Sequence, residues 1–118
     1  MAKANLVQKK VQMSKRNIIK YQLLTYFFNY NESFSNNEIE SLALLGVYGK
    51  TDLPEFCNAA VNEKIFKSIQ SVRNFITKAN KKDIVLKDKK RIFLNPKLQI
   101  QTEGNIILDY KMFYVTQE

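Results

Sequence analysis

Histidine and tryptophan are absent from the chain, and its only cysteine is Cys57. Without histidine the chain lacks the commonest general acid and base at neutral pH. A single cysteine excludes an intramolecular disulfide, the usual zinc sites and a Cys–His nucleophile pair. There is also no glycine-rich phosphate loop and no paired-carboxylate motif. The sequence therefore predicts a binding protein, not an enzyme, with no cofactor and no metal ion.

Glycine and proline are scarce, and no long apolar run is present. Three glycines and two prolines interrupt 118 residues, without a repeat or a Pro/Gly-rich linker. The length lies near the commonest size of one domain, so residues 1–118 are predicted to form a single domain. No apolar run approaches the ~18 residues that a membrane span needs, so no membrane association is expected. Cys57 is predicted to be a small core residue.

Positive charge is abundant and unevenly distributed. The net charge is +8. Residues 1–20 carry six basic residues and no acid, residues 21–63 carry one base and six acids, and residues 64–97 carry eleven bases and two acids. Two basic blocks around an acidic middle are typical of a surface with one strongly positive face, which attracts nucleic acid. The alternative is that these are ordinary solvated lysines.

The first half of the chain predicts helices. Residues 1–14 have the pattern of a basic arm or an edge strand. Ser14 is a candidate N-cap for a helix over 15–30, whose aromatic residues are expected in the core. Ser35 and Glu38 form a capping box before a second helix that ends near Leu45, with Gly46 and Gly49 framing a turn.

The second half predicts a long helix and two hairpins. A short helix from Leu53 to about Val61 precedes an amphipathic helix over 63–79, and the pattern leaves open whether 54–79 is one helix or two. The helical part thus covers 15–80. The period then changes to two, which predicts strands at 84–86 and 91–94 and a second hairpin that joins 98–101 to 106–115 around Gly104. Residues 84–115 are therefore expected to form β-hairpins.

Taken together, the elements predict an α+β, winged helix-turn-helix-like domain: three to four N-terminal helices followed by C-terminal β-hairpins. Helix 63–79 would enter the major groove, and the basic turn 87–91 would be the wing on the DNA backbone. The predicted DNA-binding residues are Lys67, Gln70, Ser71, Arg73, Asn74, Lys78, Lys87, Lys89, Lys90 and Arg91. An ordinary solvated helix face and a charged turn that protects a sheet edge are the alternatives.

The segment Arg91-Ile92-Phe93-Leu94-Asn95-Pro96-Lys97-Leu98, followed by Gly104, resembles the wing of RepL-type plasmid replication initiators. The resemblance covers residues 63–113. It implies a winged-helix protein that binds duplex DNA for a plasmid or phage in the bacterial host cytoplasm. The Asn-, Lys- and Ile-rich style, with Gly-Asn-Ile-Ile-Leu-Asp-Tyr-Lys near the C-terminus, also resembles small proteins of crAss-like bacteriophages.

The resemblance to phage proteins leaves a second function open. A winged-helix core can also serve as a packing module, because a fold does not fix a function. The chain would then be a structural or auxiliary protein of the virion, at the head or portal vertex. Residues 1–13 and 106–115 would bind neighbouring virion subunits, or a second copy of the chain, by strand addition.

Overall fold

The computed structural model describes the backbone of residues 2–11 and 13–115, and the side chains of residues 13–107. The architecture is α+β, as expected, with four helices and a small three-stranded antiparallel sheet. The elements in chain order are β1 (Ala2–Val11), α1 (Lys15–Asn29), α2 (Asn36–Tyr48), β2 (Thr51–Asp52), α3 (Leu53–Asn62), α4 (Ile69–Lys81), β3 (Val85–Asp88), β4 (Arg91–Leu94), a 3₁₀ turn (Pro96–Leu98) and β5 (Ile106–Val115).

The first two helices begin where their capping residues predict. The Ser14 hydroxyl accepts a hydrogen bond from the Asn17 backbone N–H at 3.2 Å. At α2 the Ser35 hydroxyl accepts from the Glu38 N–H at 3.2 Å, and the Glu38 carboxylate accepts from the Ser35 N–H at 2.8 Å. Both predicted helix starts are confirmed, because these side chains satisfy N–H groups that have no partner within the helix.

The predicted end of α2 near Leu45 is wrong, because the helix continues through Gly46 to Tyr48. Gly46 lies inside the helix against α1, where a Cβ atom would come within 2.8 Å of Ile19 Cγ2. Gly46 therefore allows α1 and α2 to approach each other closely and does not form a turn. Gly49, with φ of 71°, is the residue at which the helix ends.

The predicted helix over 63–79 is also wrong at its start. Residues 54–79 contain two helices, because α3 ends at Asn62 and α4 begins only at Ile69, after the N-cap Ser68. Lys64 adopts a left-handed conformation with φ of 62°, and the Ile65 N–H donates to the carbonyl of Ala60 at 3.0 Å. This hydrogen bond and the buried Ile65 side chain are features of a Schellman ending.

The strand order of the three-stranded sheet is β2-β4-β3. β3 and β4 form the predicted hairpin, in which Asp88 pairs with Arg91 and only Lys89 and Lys90 make the turn. The Leu53 N–H, at the start of α3, donates to the Lys90 carbonyl at 2.9 Å. Backbone hydrogen bonds thus connect the hairpin to the helical part both at its tip and at its base.

Asn95 fastens the base of the hairpin. Its backbone N–H donates to the Ile84 carbonyl at 2.9 Å, and its side-chain amide donates to the Asp83 carbonyl at 2.7 Å. The amide oxygen accepts from the Lys97 N–H at 3.0 Å. The Asn-Pro pair thus ends β4 as predicted, since proline cannot continue the ladder and Asn95 satisfies the neighbouring backbone groups.

The second predicted hairpin is wrong. β5 does not pair with residues 98–101 but with β1, in an antiparallel ribbon that matches Ala2 with Val115 and Val11 with Ile106. Residues 2–11 are therefore a strand. Gly104 has the positive φ expected of it, 108°, but it lies in the link to this ribbon. We call the β1–β5 pair the terminal ribbon.

One apolar core joins all four helices to the hairpin. Ile19, Leu42, Phe56, Val72 and Ile92 are among its nearly inaccessible side chains, and Cys57 is buried there as predicted. The aromatic side chains of 21–34 divide instead of all entering the core. Phe27 is buried, but Phe28 and Tyr30 are 87% and 68% exposed.

No helix in the described part of the chain has both the length and the apolar character that a membrane span requires.

Candidate nucleic-acid interface

The β3–β4 hairpin and α4 meet at a concave surface. Arg73 of α4 faces Lys87, Lys89 and Lys90 of the hairpin across a cavity of about 330 Å³. Its apolar wall consists of Leu53, Pro54 and Ile92. We call Arg73, Lys87, Lys89 and Lys90 the basic cleft. The structure thus brings together four of the predicted DNA-binding residues, which lie in two separate parts of the sequence.

The basic cleft is electrostatically uniform. No carboxylate lines it, and its four cationic residues form no ion pair with any side chain described between residues 13 and 107. All four are exposed. A cleft lined by charges of one sign concentrates the field and attracts polyanions. The arrangement is therefore suited to bind phosphate groups.

Cys57 lies beneath this surface. Burial raises the pKa of its thiol, and the positive charge of Arg73 offsets this only in part. The thiol is fully buried and stays protonated at neutral pH. It therefore has the properties of a core residue and not of a nucleophile.

The outward face of α4 is polar and carries no acid. Gln70, Asn74, Thr77 and Lys81 are all exposed and follow one another at intervals of three and four residues, which places them on one helix face. Thr77 and Lys81 were not among the predicted site residues. Their signal was the same helical spacing, but the predicted helix ended before Lys81.

The N-terminal end of α4 differs from the prediction. Lys67 is exposed but precedes the helix, in the turn that leads to Ser68. The half-buried Ser71 contacts the N-cap, with 2.9 Å between its hydroxyl oxygen and that of Ser68. No acidic residue lies in the first turn of α4. The positive end of the helix dipole is therefore not neutralised by its own helix.

Lys78 follows Asn74 by four residues, but it is half-buried and pairs with Glu38. Its ammonium group donates to both carboxylate oxygens of Glu38 at 3.1 Å and lies 5.0 Å from the ring centre of Phe34. Partial burial by itself would raise the pKa of Glu38, but the Ser35 N–H and Lys78 together lower it. Lys78 therefore stabilises the start of α2.

Arg91 does not line the basic cleft but a neighbouring surface of mixed charge, which Lys89 and Lys90 also line. Its Nε atom is 3.6 Å from Asp52 Oδ1, and Asp88 pairs with Lys50. The Lys50 hydrogen bond lowers the pKa of the Asp88 carboxyl. Asp88 therefore balances positive charge next to the hairpin. Both acids weaken the positive potential around Arg91.

The described part of the N-terminal basic block is largely neutralised. Arg16 of α1 pairs with Glu40 at 3.3 Å and with Glu63, and Lys20 pairs with Glu40. The Lys20 hydrogen bond is the main reason why the pKa of Glu40 is lowered. Partial burial opposes this shift, and the charges of Lys20 and Arg16 add to it. These two cations connect α1, α2 and α3, so they contribute little net charge to a ligand surface.

Among the described residues there is no group of three or more Cys, Asp or Glu side chains able to hold an ion. No protein-family model, curated protein or solved structure matches the chain.

Proposed function

We propose that residues 36–94 form a winged helix-turn-helix domain that binds duplex DNA. In this proposal α3 and α4 are the helix-turn-helix, α4 is the helix that enters the major groove, and the β3–β4 hairpin is the wing. The protein would act as a regulatory or replicative DNA-binding protein of a phage or plasmid.

The order of the elements supports this assignment. A winged helix-turn-helix consists of a helix, a short strand, two helices and a hairpin, with the short strand paired to the second strand of the hairpin. The chain has this order in α2, β2, α3, α4, β3 and β4, and its sheet order is β2-β4-β3. α1 and the terminal ribbon lie outside this unit.

The basic cleft is the observation that carries the proposal. A winged helix-turn-helix needs positive charge where the wing and the second helix approach the same DNA backbone. Arg73 and the hairpin lysines meet this need, because they converge without any carboxylate between them. Most hydrogen bonds to DNA go to phosphate and sugar, and such contacts fix the position of a protein on the duplex. The cleft would supply affinity, and the outward face of α4 would lie against the base edges.

A salt titration with random-sequence duplex DNA tests the proposal. We expect the affinity to fall steeply between about 50 and 200 mM salt, because each phosphate contact releases counterions. The variant Lys89→Glu/Lys90→Glu should bind more weakly, with a salt slope reduced by about one for each lost phosphate contact. The matched control is Lys15→Glu/Lys97→Glu, which changes the net charge equally at two exposed lysines outside the cleft.

The two variants distinguish DNA binding at the basic cleft from attraction by the net charge of the protein. If both weaken binding equally, net charge and not the cleft attracts DNA. If the wild-type protein does not bind duplex DNA even at low salt, the proposal is wrong.

The terminal ribbon favours a second candidate function, as a structural protein of a virion. Each of its strands makes its main contacts with the other strand. All residues of β5 except Asp109 and Lys111 are apolar, and side chains of a strand alternate between its two faces. An isolated two-stranded ribbon is marginally stable in water, so neighbouring subunits would stabilise this one.

Sedimentation of the purified full-length protein tests this second function. Val7 and Tyr110 are register partners, and Val7→Pro/Tyr110→Pro would break the ribbon by removing two backbone donors. The assembly function predicts concentration-dependent oligomers that this variant loses, while the helical part melts at an unchanged temperature. A wild-type protein that sediments as a monomer at all concentrations would argue against self-assembly. Absence from purified phage particles would argue against a place in the virion.

A further inference from the structure

The terminal ribbon extends away from the helical part. The molecule measures 60 Å along its longest axis and 27 Å along the other two. Its radius of gyration is 17.5 Å, against about 13.5 Å for a compact domain of this length. Strands of ten residues span about 33 Å, so the ribbon accounts for the extra length. Within the described backbone β1 and β5 pair only with each other, which leaves both long edges of the ribbon open to another strand.

The two edges of the ribbon differ in composition. β1 carries Lys3, Lys9 and Lys10 and no acid. Lysines on an edge strand oppose pairing with a further strand. β5 is apolar except for Asp109 and Lys111, and a nearly continuous apolar run is typical of a strand in the interior of a sheet. The β5 edge is therefore the one at which an additional strand would pair.

A second copy of β5 fits this edge in one symmetric antiparallel register. In the register centred on Tyr110, Asp109 of each copy lies opposite Lys111 of the other copy, so the two opposite charges pair twice. The neighbouring symmetric registers, centred on Asp109 or on Lys111, would place two like charges opposite each other. Opposite charges on facing residues stabilise a strand pair, and like charges destabilise it. The two charges of β5 therefore select the register centred on Tyr110.

The rest of β5 is also complementary to itself in this register. Every other facing pair between the two copies joins two apolar residues: Ile106 with Tyr114, Ile107 with Phe113, and Leu108 with Met112. Pairs of an aromatic and a β-branched residue are among the favourable ones across two strands. No charge of β5 would thus lie opposite an apolar residue.

We propose that two copies of the chain form a twofold-symmetric dimer through β5, with a four-stranded antiparallel sheet in the order β1-β5-β5-β1. The lysine-bearing β1 strands would form both outer edges, so the assembly would end at two copies. A four-stranded sheet would also remove the marginal stability of an isolated two-stranded ribbon. The dimer goes beyond the proposed DNA binding, because it concerns a different surface and does not depend on the ligand.

Analytical ultracentrifugation of the full-length protein over a range of concentrations tests the dimer. We expect the wild-type protein to form dimers. Asp109→Lys should raise the dimer dissociation constant at least about tenfold, because like charges would then face each other twice. The double variant Asp109→Lys/Lys111→Asp restores opposite charges and should recover the dimer. The matched control is Glu103→Lys, which makes the same charge change at an exposed residue before β5 and should associate like the wild type.

Cysteine cross-linking tests the register. Tyr110→Cys would place the same thiol of both copies at the twofold axis, so mild oxidation should link the dimer. Met112→Cys alone should not form this link, because the two positions would lie about 14 Å apart along the strands. A mixture of Leu108→Cys and Met112→Cys should cross-link, since these positions face each other. The native Cys57 is buried and does not interfere.

Three results would overturn the inference. The first is a wild-type protein that sediments as a monomer at all concentrations. The second is growth beyond two copies, which would instead favour the virion function. The third is cross-linking of Met112→Cys alone as efficient as that of Tyr110→Cys, together with no recovery of the dimer in Asp109→Lys/Lys111→Asp. None of these results bears on the basic cleft, whose DNA binding the salt titration tests separately.

Discussion

Arg16 and Lys20 on α1 belong to the first basic block of the sequence, and the basic cleft belongs to the second. Arg16 and Lys20 both pair with Glu40, and Arg16 also pairs with Glu63, so these ion pairs form a network that joins three helices. The cleft residues contact no carboxylate in the described part of the chain. Equal charges in the sequence therefore have different uses: one group stabilises the fold, and the other remains available to a ligand.

The second block is itself divided in the same way. Lys78 pairs with Glu38 and Lys82 pairs with Glu32, and both lie over the ring of Phe34. These two lysines connect α4 to the segment around the start of α2. Positive charge by itself is thus a poor guide to a binding surface, because the positions of the acids in the fold decide which cations are neutralised.

Charge reversal should separate the two groups most strongly. Reversing the whole basic cleft (Arg73→Glu, Lys87→Glu, Lys89→Glu and Lys90→Glu together) should weaken DNA binding by at least about 100-fold and reduce the salt slope by up to about 4. Its urea midpoint should change little. The comparison variant Arg16→Glu/Lys20→Glu should unfold at lower urea. If it instead loses binding while remaining equally stable, the division of the charges is wrong.

A substitution where α2 packs against α1 tests whether the ion pairs of Arg16 and Lys20 depend on tight packing of these helices. Gly46→Ala would place a Cβ atom within 2.8 Å of the buried Ile19, so we expect a loss of about 1–3 kcal/mol in the free energy of unfolding. Chemical denaturation measures this loss. The control is Ala43→Gly, which removes volume at a buried site of α2 instead of adding it. Gly49→Ala is not a suitable control, because Gly49 has a positive φ. Wild-type stability in Gly46→Ala would contradict the packing of these helices.

Removing one member of the ion-pair network should have a smaller effect. Arg16→Ala should lower the free energy of unfolding by about 1 kcal/mol, since the pairs are partly exposed but form a network. DNA affinity should stay within about twofold. Lys15→Ala, at the exposed neighbouring position, should leave both properties unchanged. A DNA affinity that falls as far in Arg16→Ala as in a cleft variant would show that α1 also contacts the ligand.

The smallest expected effect is on the pH dependence of stability. The lowered pKa of Glu40 means that its carboxylate stabilises the fold above about pH 4.5, and that this contribution is lost as the pH falls through the folded-state pKa. Glu40→Gln should therefore narrow the difference between the urea midpoints at neutral and acid pH. Glu55→Gln, an exposed acid on α3, is the control. Parallel midpoint curves for wild type and Glu40→Gln would contradict this role.

Helix starts could be predicted from the sequence where the capping serine was recognised. The caps Ser14 and Ser35 were predicted correctly, because a serine hydroxyl bonds to a backbone N–H a few residues away. The Ser68 cap was missed, whereas α3 ends at Asn62, next to the predicted end near Val61. Left-handed helix endings usually contain glycine, but this chain uses Asn31, Lys64 and Asp83 at such positions, with φ between 55° and 62°. A lysine carries no visible stop signal.

The candidate site, too, could be predicted only in part from the sequence. The basic character of α4 and the hairpin was evident from the sequence, and so were the candidate residues of the basic cleft. The commitment of Lys78 to Glu38 and of Arg91 to Asp52 was not, because each acid is separated from its partner by some forty residues. Ile69 has the helical spacing of the buried Val72 and Ile76, but it is 44% exposed because α4 begins only at this residue.

By itself the sequence determined the local elements: the caps, the amphipathic helices and the hairpin that ends at Asn95 and Pro96. Their signals lie within a few residues, because backbone hydrogen bonds and side-chain alternation act over that distance. Only the tertiary structure decided that β5 pairs with β1, that Gly46 lies against Ile19, which isoleucine side chains are covered, and which lysines have no acidic partner among the described residues. These properties depend on residues that are distant in the chain and adjacent in space, and no local pattern records that proximity.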